Sequence, residues 1–324
     1  MSNRSIHTLL KNWDEECPLT REEAVEVLNL PEEEMDSLME CAYALRTKYK
    51  GKKVSVQLLT NVRSGNCTQN CAYCAQSKDS QAEIEKYKRV SDEKLYGDND
   101  LVDEKHLARH CIGLSGIGFS DEEIEDLADR IREMKKKDTQ ICCSIGFLTE
   151  KQARILKDAG LDRINHNLNS SRSFYPEICT THTYDQRVNN IKMLQSLGFE
   201  ICSGGIVGMG ESKEDIVDML MDLREINPES VPINFLLPIP GTRLADRDIS
   251  EYCLKVLCLA RLMIPKSDIR CAAGREVYFK GLEPELFKVV DSIFASGYLT
   301  AGGQGIDDTM KMIKDAGFDG EIES

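Results

Sequence analysis

Residues 139–170 read TQICCSIGFLTEKQARILKDAGLDRINHNLNS, and the pattern of this stretch decides the fold. TQICCSIG (139–146) and RINHNLNS (163–170) are short strand-like runs. Between them LTEKQARILKDAG (148–160) has helical spacing, opening on the Thr149…Gln152 capping pair and stopping at Gly160. Strand, helix and strand in so short a span imply parallel strands joined by a crossover helix. Six further runs extend the alternation: VSVQLLTNV (54–62), HCIGLSG (110–116), EICSGGIVG (200–208), VPINFLLPI (231–239), DIRCAAGR (268–275) and SIFASGYLT (292–300). Helical stretches such as SDEEIEDLADRIREMKKK and TYDQRVNNIKMLQSLG separate them. Eight β-α repeats predict an α/β fold, a (β/α)8 TIM-type barrel, over residues 52–317. An open doubly wound sheet is the alternative, but no G-x-G-x-x-G follows the first strand. Residues 1–51 read as an N-terminal helical extension, and 318–324 as a polar tail.

Composition narrows the function. The chain has 324 residues, net charge −14, 55 acidic against 41 basic side chains, and 13 cysteines. Its start, MSNRSIHTLLKNWDEECPL, is polar, and runs such as FLLPIP are too short to span a bilayer. The expectation is a cytoplasmic protein with no membrane partner. No nucleic acid partner is expected either, because like charges repel. The length, the odd cysteine count and the polar start exclude a secreted disulfide scaffold, so the thiols point to metal or redox work.

The strongest local motif is Cys67-Thr-Gln-Asn-Cys71-Ala-Tyr-Cys74, directly after the first strand. Three thiolates this close can hold three irons of a [4Fe–4S] cube and leave the fourth iron open, as a catalytic site requires. Zinc with a distant fourth ligand, or coincidence among many cysteines, are the competing readings. Loops after barrel strands carry active sites, which favours the cluster.

C-x3-C-x2-C with an aromatic before the third cysteine resembles the radical S-adenosylmethionine (SAM) enzymes. NCTQNCAYCAQS, DRINHNLNSS, ICTTHTYDQRV, ICSGGIVGMGE, SVPINFLLPIPGT and AAGRE together resemble the biotin synthase family, from about residue 54 to 317. The resemblance implies sulfur insertion into dethiobiotin to form biotin. A 5′-deoxyadenosyl radical would abstract hydrogen, and an auxiliary iron–sulfur cluster would supply sulfur. It also implies a flavodoxin- or ferredoxin-type electron donor, a sulfur source for cluster repair, and a homodimer.

By motif position the auxiliary ligands fall on Cys111, Cys142, Cys202 and Arg270. Strand parity offers a separate test, since alternate side chains face opposite sides. Ile112 and Leu114 suit the helix side and leave Cys111 inward; Ile141, Cys143 and Ile145 leave Cys142 inward; Ile269 and Cys271 leave Arg270 inward. The family form is [2Fe–2S]. If the strand kinks, Cys271 becomes an additional or replacement ligand, giving a 4Fe-type cluster with four cysteines. Cys143 reads as a small buried hydrophobe, and Cys17, Cys41, Cys179, Cys253 and Cys258 as packing or surface residues.

Asn165, Asn167 and Asn169 alternate along one inward strand face, where amides suit a ureido group or ribose hydroxyls. His166 has the opposite parity and reads as a core histidine. The resemblance implies SAM contacts at Tyr73, Asn167, Asn169 and Ile206, and dethiobiotin contacts at Asn167, Asn234 and Thr300, the last within residues 298–302. The glycines of ICSGGIVGMGE are expected where the chain approaches a flat ligand. Two rivals are a radical SAM mutase or maturase, which would not need the second set of cysteines, and an iron–sulfur carrier, which would not need the amide face.

Overall fold

The computed structural model describes residues 18–246, 252–300 and 302–320. Cys17, Ala301 and the end of the tail, 321–324, lie outside the described residues. Thr20 opens the first described helix, α1 (Arg21–Leu28), through a capping box with Glu23. The second, α2 (Met35–Lys50), buries Leu38, Met39, Ala42 and Leu45 and stops at Gly51, whose φ of 59° lies in the left-handed region. Strand β1 (Lys53–Arg63) then starts the barrel.

The chain continues as α3 (Asp92–Glu104), β2 (Arg109–Leu114), α4 (Asp121–Met134), β3 (Ile141–Ser144), α5 (Glu150–Asp158), β4 (Arg163–Asn165), α6 (Tyr175–Ile178) and α7 (Tyr184–Ser196). Next come β5 (Glu200–Cys202), β6 (Gly205–Val207), α8 (Lys213–Ile226), β7 (Ser230–Phe235), α9 (Cys253–Met263) and β8 (Asp268–Cys271). The last elements are α10 (Arg275–Tyr278), α11 (Glu283–Phe287), β9 (Ser292–Ala295), α12 (Ile306–Asp315) and β10 (Asp319–Gly320). The named strands pair in parallel, in the order β1-β2-β3-β4-β5-β7-β8-β9, and β9 returns to β1. Eight staves therefore close a (β/α)8 barrel, with helices packed outside it.

The acidic stretch before β2 is a helix, α3, capped by Ser91. The fifth stave is broken into β5 and β6 at Ser203–Gly204, and β6 pairs with β7. A Cβ at Gly204 would lie 1.9 Å from the Pro232 carbonyl oxygen, and one at Gly205 would lie 2.0 Å from Met219 Sδ. On the side a Cβ would occupy, these two glycines meet the protein's own backbone and core, which only glycine allows. The tail also differs from expectation. Phe318 is buried, and Asp319–Gly320 pair with Lys53–Val54, so ordered structure runs past residue 317.

The N-terminal helices close one end of the barrel. Lys50 at the end of α2 donates to Asp268 at 2.6 Å, and Arg46 donates to the Lys53 carbonyl at 2.7 Å. Beneath the strands Arg163 pairs with Glu200 at 2.8 Å and Arg109 with the same carboxylate at 3.3 Å. This charged plate leaves the opposite, C-terminal end of the strands as the way in.

Candidate active site

A cavity of about 380 Å³ opens at that end. Cys67, Cys71, Tyr73 and Cys74 line it from the loop after β1, Cys111, Cys142 and Arg270 from its depth. Asn167, Asn169, Ile206, Asn234 and Thr300 line its walls. Cys202 completes the deep sulfur group, and Cys271 stays outside.

The cysteine loop is held at its base by a two-way bridge between Ser64 and Tyr87, at 3.0 and 3.1 Å. Gly65 and Asn66 turn it with positive φ, and the Gly65 amide donates to Gln76 Oε1 at 2.8 Å. Amides of Cys74 and Ser77 donate back to the carbonyls of Cys71 and Cys74, tight turns that bring the three thiols to one cavity mouth. Burial pushes the Cys74 thiol up to about 11, the direction expected of a sulfur sheltered from water.

Deeper, register sets Cys111 opposite Cys142 across β2–β3, and Cys202 beside Asn165 across β4–β5. The three sulfur side chains form a group of their own, walled by Leu59 and Phe294. Arg270 is fully buried against them. Its Nε donates to Ser292 Oγ and Nη2 to Ser230 Oγ, both at 3.0 Å, while Nη1 points at Cys202 Sγ from 3.6 Å. Its guanidinium also stacks over Phe294 at 4.9 Å. A hydrogen bond with Cys142, together with the charges of Arg270 and Arg109, draws the Cys111 thiol below its ordinary range. The same bond pushes Cys142 up to about 12. Arg163 lies opposite Cys142 on β4, so the plate below the sulfurs carries positive charge toward them.

Strand parity thus meets the geometry at Cys111, Cys142 and Arg270, and Cys202, placed by motif position alone, joins the same group. Cys271 faces outward, as parity places it, and the kink that would turn it inward is absent from β8. Paired in register with Ile233 and Ile293, it packs in the aliphatic core between strands and helices. β8 keeps regular parallel register through both residues, so Arg270 holds the inward position and Cys271 the outward one. Cys143 packs in the same outer core, and so do Cys253 and Cys258.

The amide face extends beyond its strand, because β4 ends at Asn165. Asn165 lines the cavity, and its Nδ2 donates to Cys202 Sγ at 3.1 Å, which ties it to the deep sulfurs. Asn167 Oδ1 accepts from the Gly204 amide at 3.1 Å, leaving its NH2 for a ligand. Asn169 has φ 71°; its amide donates to the Gly204 carbonyl and its carbonyl accepts from Ile206, so the backbone stitches β4's extension to the broken stave. Asn234 donates to the Gly205 carbonyl and accepts from the Ala273 amide, both at 3.1 Å, which fixes its rotamer and uses half of its bonding capacity. His166 lines the cavity rather than the outer core, edge-on to Phe147, and burial lowers its pKa and keeps it neutral.

Sequence reasoning missed Arg187, His182, Gln57, Ser230 and Ser292. Arg187 reaches from α7 to the Asn167 carbonyl at 3.1 Å and to His182 at 2.9 Å. Nothing in a helical QRV triplet distinguishes such an arginine from a solvated one. Ser230 and Ser292 were accessible through parity, since they alternate with Pro232 and Phe294 on inward faces. Gln57 accepts from Cys111 Sγ at 3.0 Å.

The sequence matches the Radical SAM superfamily over residues 61–223 and the Biotin and Thiamin Synthesis associated domain over residues 232–319. It is 42% identical over 308 residues to a biotin synthase of Geobacillus kaustophilus, covering 94% of this chain and 92% of that one. A biotin synthase of Bacillus subtilis is 40% identical over 311 residues, with the same coverage. Among solved structures, methylornithine synthase superposes with a TM-score of 0.84 at 17% identity, covering 98% of this chain and 97% of that one. An FeFe-hydrogenase maturase from Carboxydothermus hydrogenoformans gives 0.83 at 19%, covering 97% and 78%. At these identities the two structures speak for the barrel alone.

Proposed function

The chain belongs to the biotin synthase family of the radical SAM superfamily and is a radical SAM sulfurtransferase, and from that premise we propose how its cavity divides the work of turning dethiobiotin into biotin. Convergence of two separate thiol groups on one cavity carries this reading: the loop triplet at its mouth, and Cys111, Cys142 and Arg270 in its depth with Cys202 packed against them.

The donor sets fit the groups the family implies. Cys67, Cys71 and Cys74 would hold a [4Fe–4S] cluster, and three ligands leave one iron for SAM. Cys111, Cys142 and Cys202 with Arg270 would hold an auxiliary [2Fe–2S] cluster, whose charge the arginines below and beside the sulfurs offset. When bound, SAM and the two clusters supply the deoxyadenosyl radical and the inserted sulfur.

The protein's own share is binding, orientation and exclusion. Ile206 and Tyr73 offer apolar surface for SAM, and Asn169 a polar contact. Asn167, held through its oxygen by Gly204, presents its NH2 to SAM and to the ureido carbonyl of dethiobiotin. Asn234, clamped by two backbone groups, retains one amide hydrogen and one lone pair for the same ring. Thr300 offers a hydroxyl to the substrate carboxylate. No side chain needs to carry a proton, because hydrogen-atom abstraction leaves none on the protein, and this suits a cavity whose His166 is kept neutral. With substrate held between the two thiol groups, both transfers become effectively unimolecular.

The reading extends to a cytoplasmic homodimer that takes electrons from a flavodoxin- or ferredoxin-type donor and draws on an outside sulfur source for cluster repair. No helix among the described residues is long and apolar enough to cross a membrane. Anaerobic incubation of the reconstituted protein with SAM, reductant and dethiobiotin tests the function. Biotin, or a thiolated dethiobiotin, together with 5′-deoxyadenosine is expected. Deoxyadenosine without either sulfur product would instead favour a mutase.

A further inference from the structure

A fourth sulfur approaches the loop triplet from outside it. Cys179 follows α6 in the segment before α7; it is buried, and its Sγ lies 3.8 Å from Cys71 Sγ. The two chain segments are tied together beside the pair. The Ala72 amide donates to the Ile178 carbonyl at 2.8 Å, and Asn70 Oδ1 accepts from the Thr180 amide at 3.0 Å while its NH2 donates to Thr180 Oγ1 at 2.7 Å. His182 joins the group, with Nδ1 3.3 Å from Cys179 Sγ and 2.9 Å from Gln69 Oε1.

One ligand atom each from Cys71, Cys179 and His182 lies within 4.8 Å of the others, close enough to suggest a cation site. The hydrogen bonding argues against it. Arg187 Nη2 lies 2.9 Å from His182 Nε2, and a guanidinium can only donate, so Nε2 is the acceptor and Nδ1 carries the ring proton. Neither nitrogen then has a lone pair to give, and the guanidinium charge repels a cation. What remains is a pair of sulfurs set side by side.

We propose that Cys71 and Cys179 form a reversible disulfide in the cluster-free chain, a redox modification site that keeps Cys71 recoverable. The sulfurs must close from 3.8 Å to about 2.0 Å, and the backbone bond from Ala72 to Ile178 holds the two segments side by side. With hydrogen peroxide as oxidant, the Cys179 sulfur attacks one oxygen. The O–O bond breaks, one water leaves, and Cys179 becomes a sulfenic acid. The Cys71 sulfur then attacks that sulfur; the S–S bond forms, the S–O bond breaks, and a second water leaves. Two thiols have lost two electrons and two protons, and one peroxide has become two waters. A small dithiol reverses the step by exchange and is itself oxidised to a disulfide. The protective consequence rests on reading Cys71 as a cluster ligand, whereas the disulfide itself does not.

The test uses the full chain stripped of iron and sulfide, reduced, freed of reductant and treated with hydrogen peroxide. After alkylation and digestion, mass spectrometry is expected to find a peptide pair joining Cys71 to Cys179, lighter by two hydrogens and lost on dithiol treatment. In Cys179→Ser that pair is absent and Cys71 advances to sulfinic and sulfonic acids. Iron binding after peroxide and then dithiol recovers in the parent and is lost in the variant. Cys71 found joined to Cys67 or Cys74 instead, or equally over-oxidised in parent and variant, overturns the proposal. Sulfur product formed in the assay of the preceding section stands or falls independently of either outcome.

Discussion

Arg270 shows how much one buried side chain organises. Its guanidinium spends its donors on Ser230, Ser292 and Cys202 and its face on Phe294. Arg270→Leu leaves two buried hydroxyls without their donor, so unfolding of the cluster-free protein should show a loss of about 1–3 kcal/mol. Its outward neighbour gives the contrast. Cys271→Ala should leave iron and sulfide content at the parent level, whereas Cys202→Ala should lose the auxiliary cluster's share while keeping that of the loop triplet; iron and sulfide assays separate the cases. Both assignments were legible from alternation along DIRC, because a strand's two faces are set by its period. Arg187 and Cys179 were not legible. Their partners come from remote segments, and a helix or loop sequence carries no period that points to them.

At the scale of elements, the strands were legible as apolar runs, but their ends were not. RINHNLNS pairs as a strand only to Asn165, and its remainder is held by backbone bonds from Asn169 to the broken stave. The break itself depends on how close Pro232 comes to Gly204, which no local pattern reveals. Gly204→Ala places a Cβ where the Pro232 carbonyl stands, and thermal unfolding should show a loss of about 3 kcal/mol, the upper end for forced overpacking. The N-terminus of α8 offers a pH test. Burial alone would raise the Asp215 carboxyl, but hydrogen bonds from Ser171, Ser212 and Ser173 outweigh it and hold it down at about 2 against an ordinary 3.8. With the folded value depressed, this contribution is complete above 3.8 and is lost as pH falls toward 2. Asp215→Asn should therefore flatten the acid limb of the stability curve relative to the parent across that window.

Over the whole molecule, barrel closure turns a linear pattern into a single site. β1 pairs with both β2 and β9, so the loop triplet following β1 stands above cysteines contributed by β2, β3 and β5. The count of eight β-α repeats made that closure legible, and the cysteine spacing made the mouth of the site legible. The charged plate under the sulfurs was hidden, because Lys50, Arg109, Arg163, Glu200 and Asp268 meet only when the barrel closes. We propose that the deep group, Cys111, Cys142, Cys202 and Arg270, holds the sulfur that enters the product. The direct measurement is a single turnover with clusters rebuilt from isotopically heavy sulfide, in a solution holding only ordinary sulfur. Biotin carrying the heavy isotope is expected; biotin carrying ordinary sulfur would rule this assignment out.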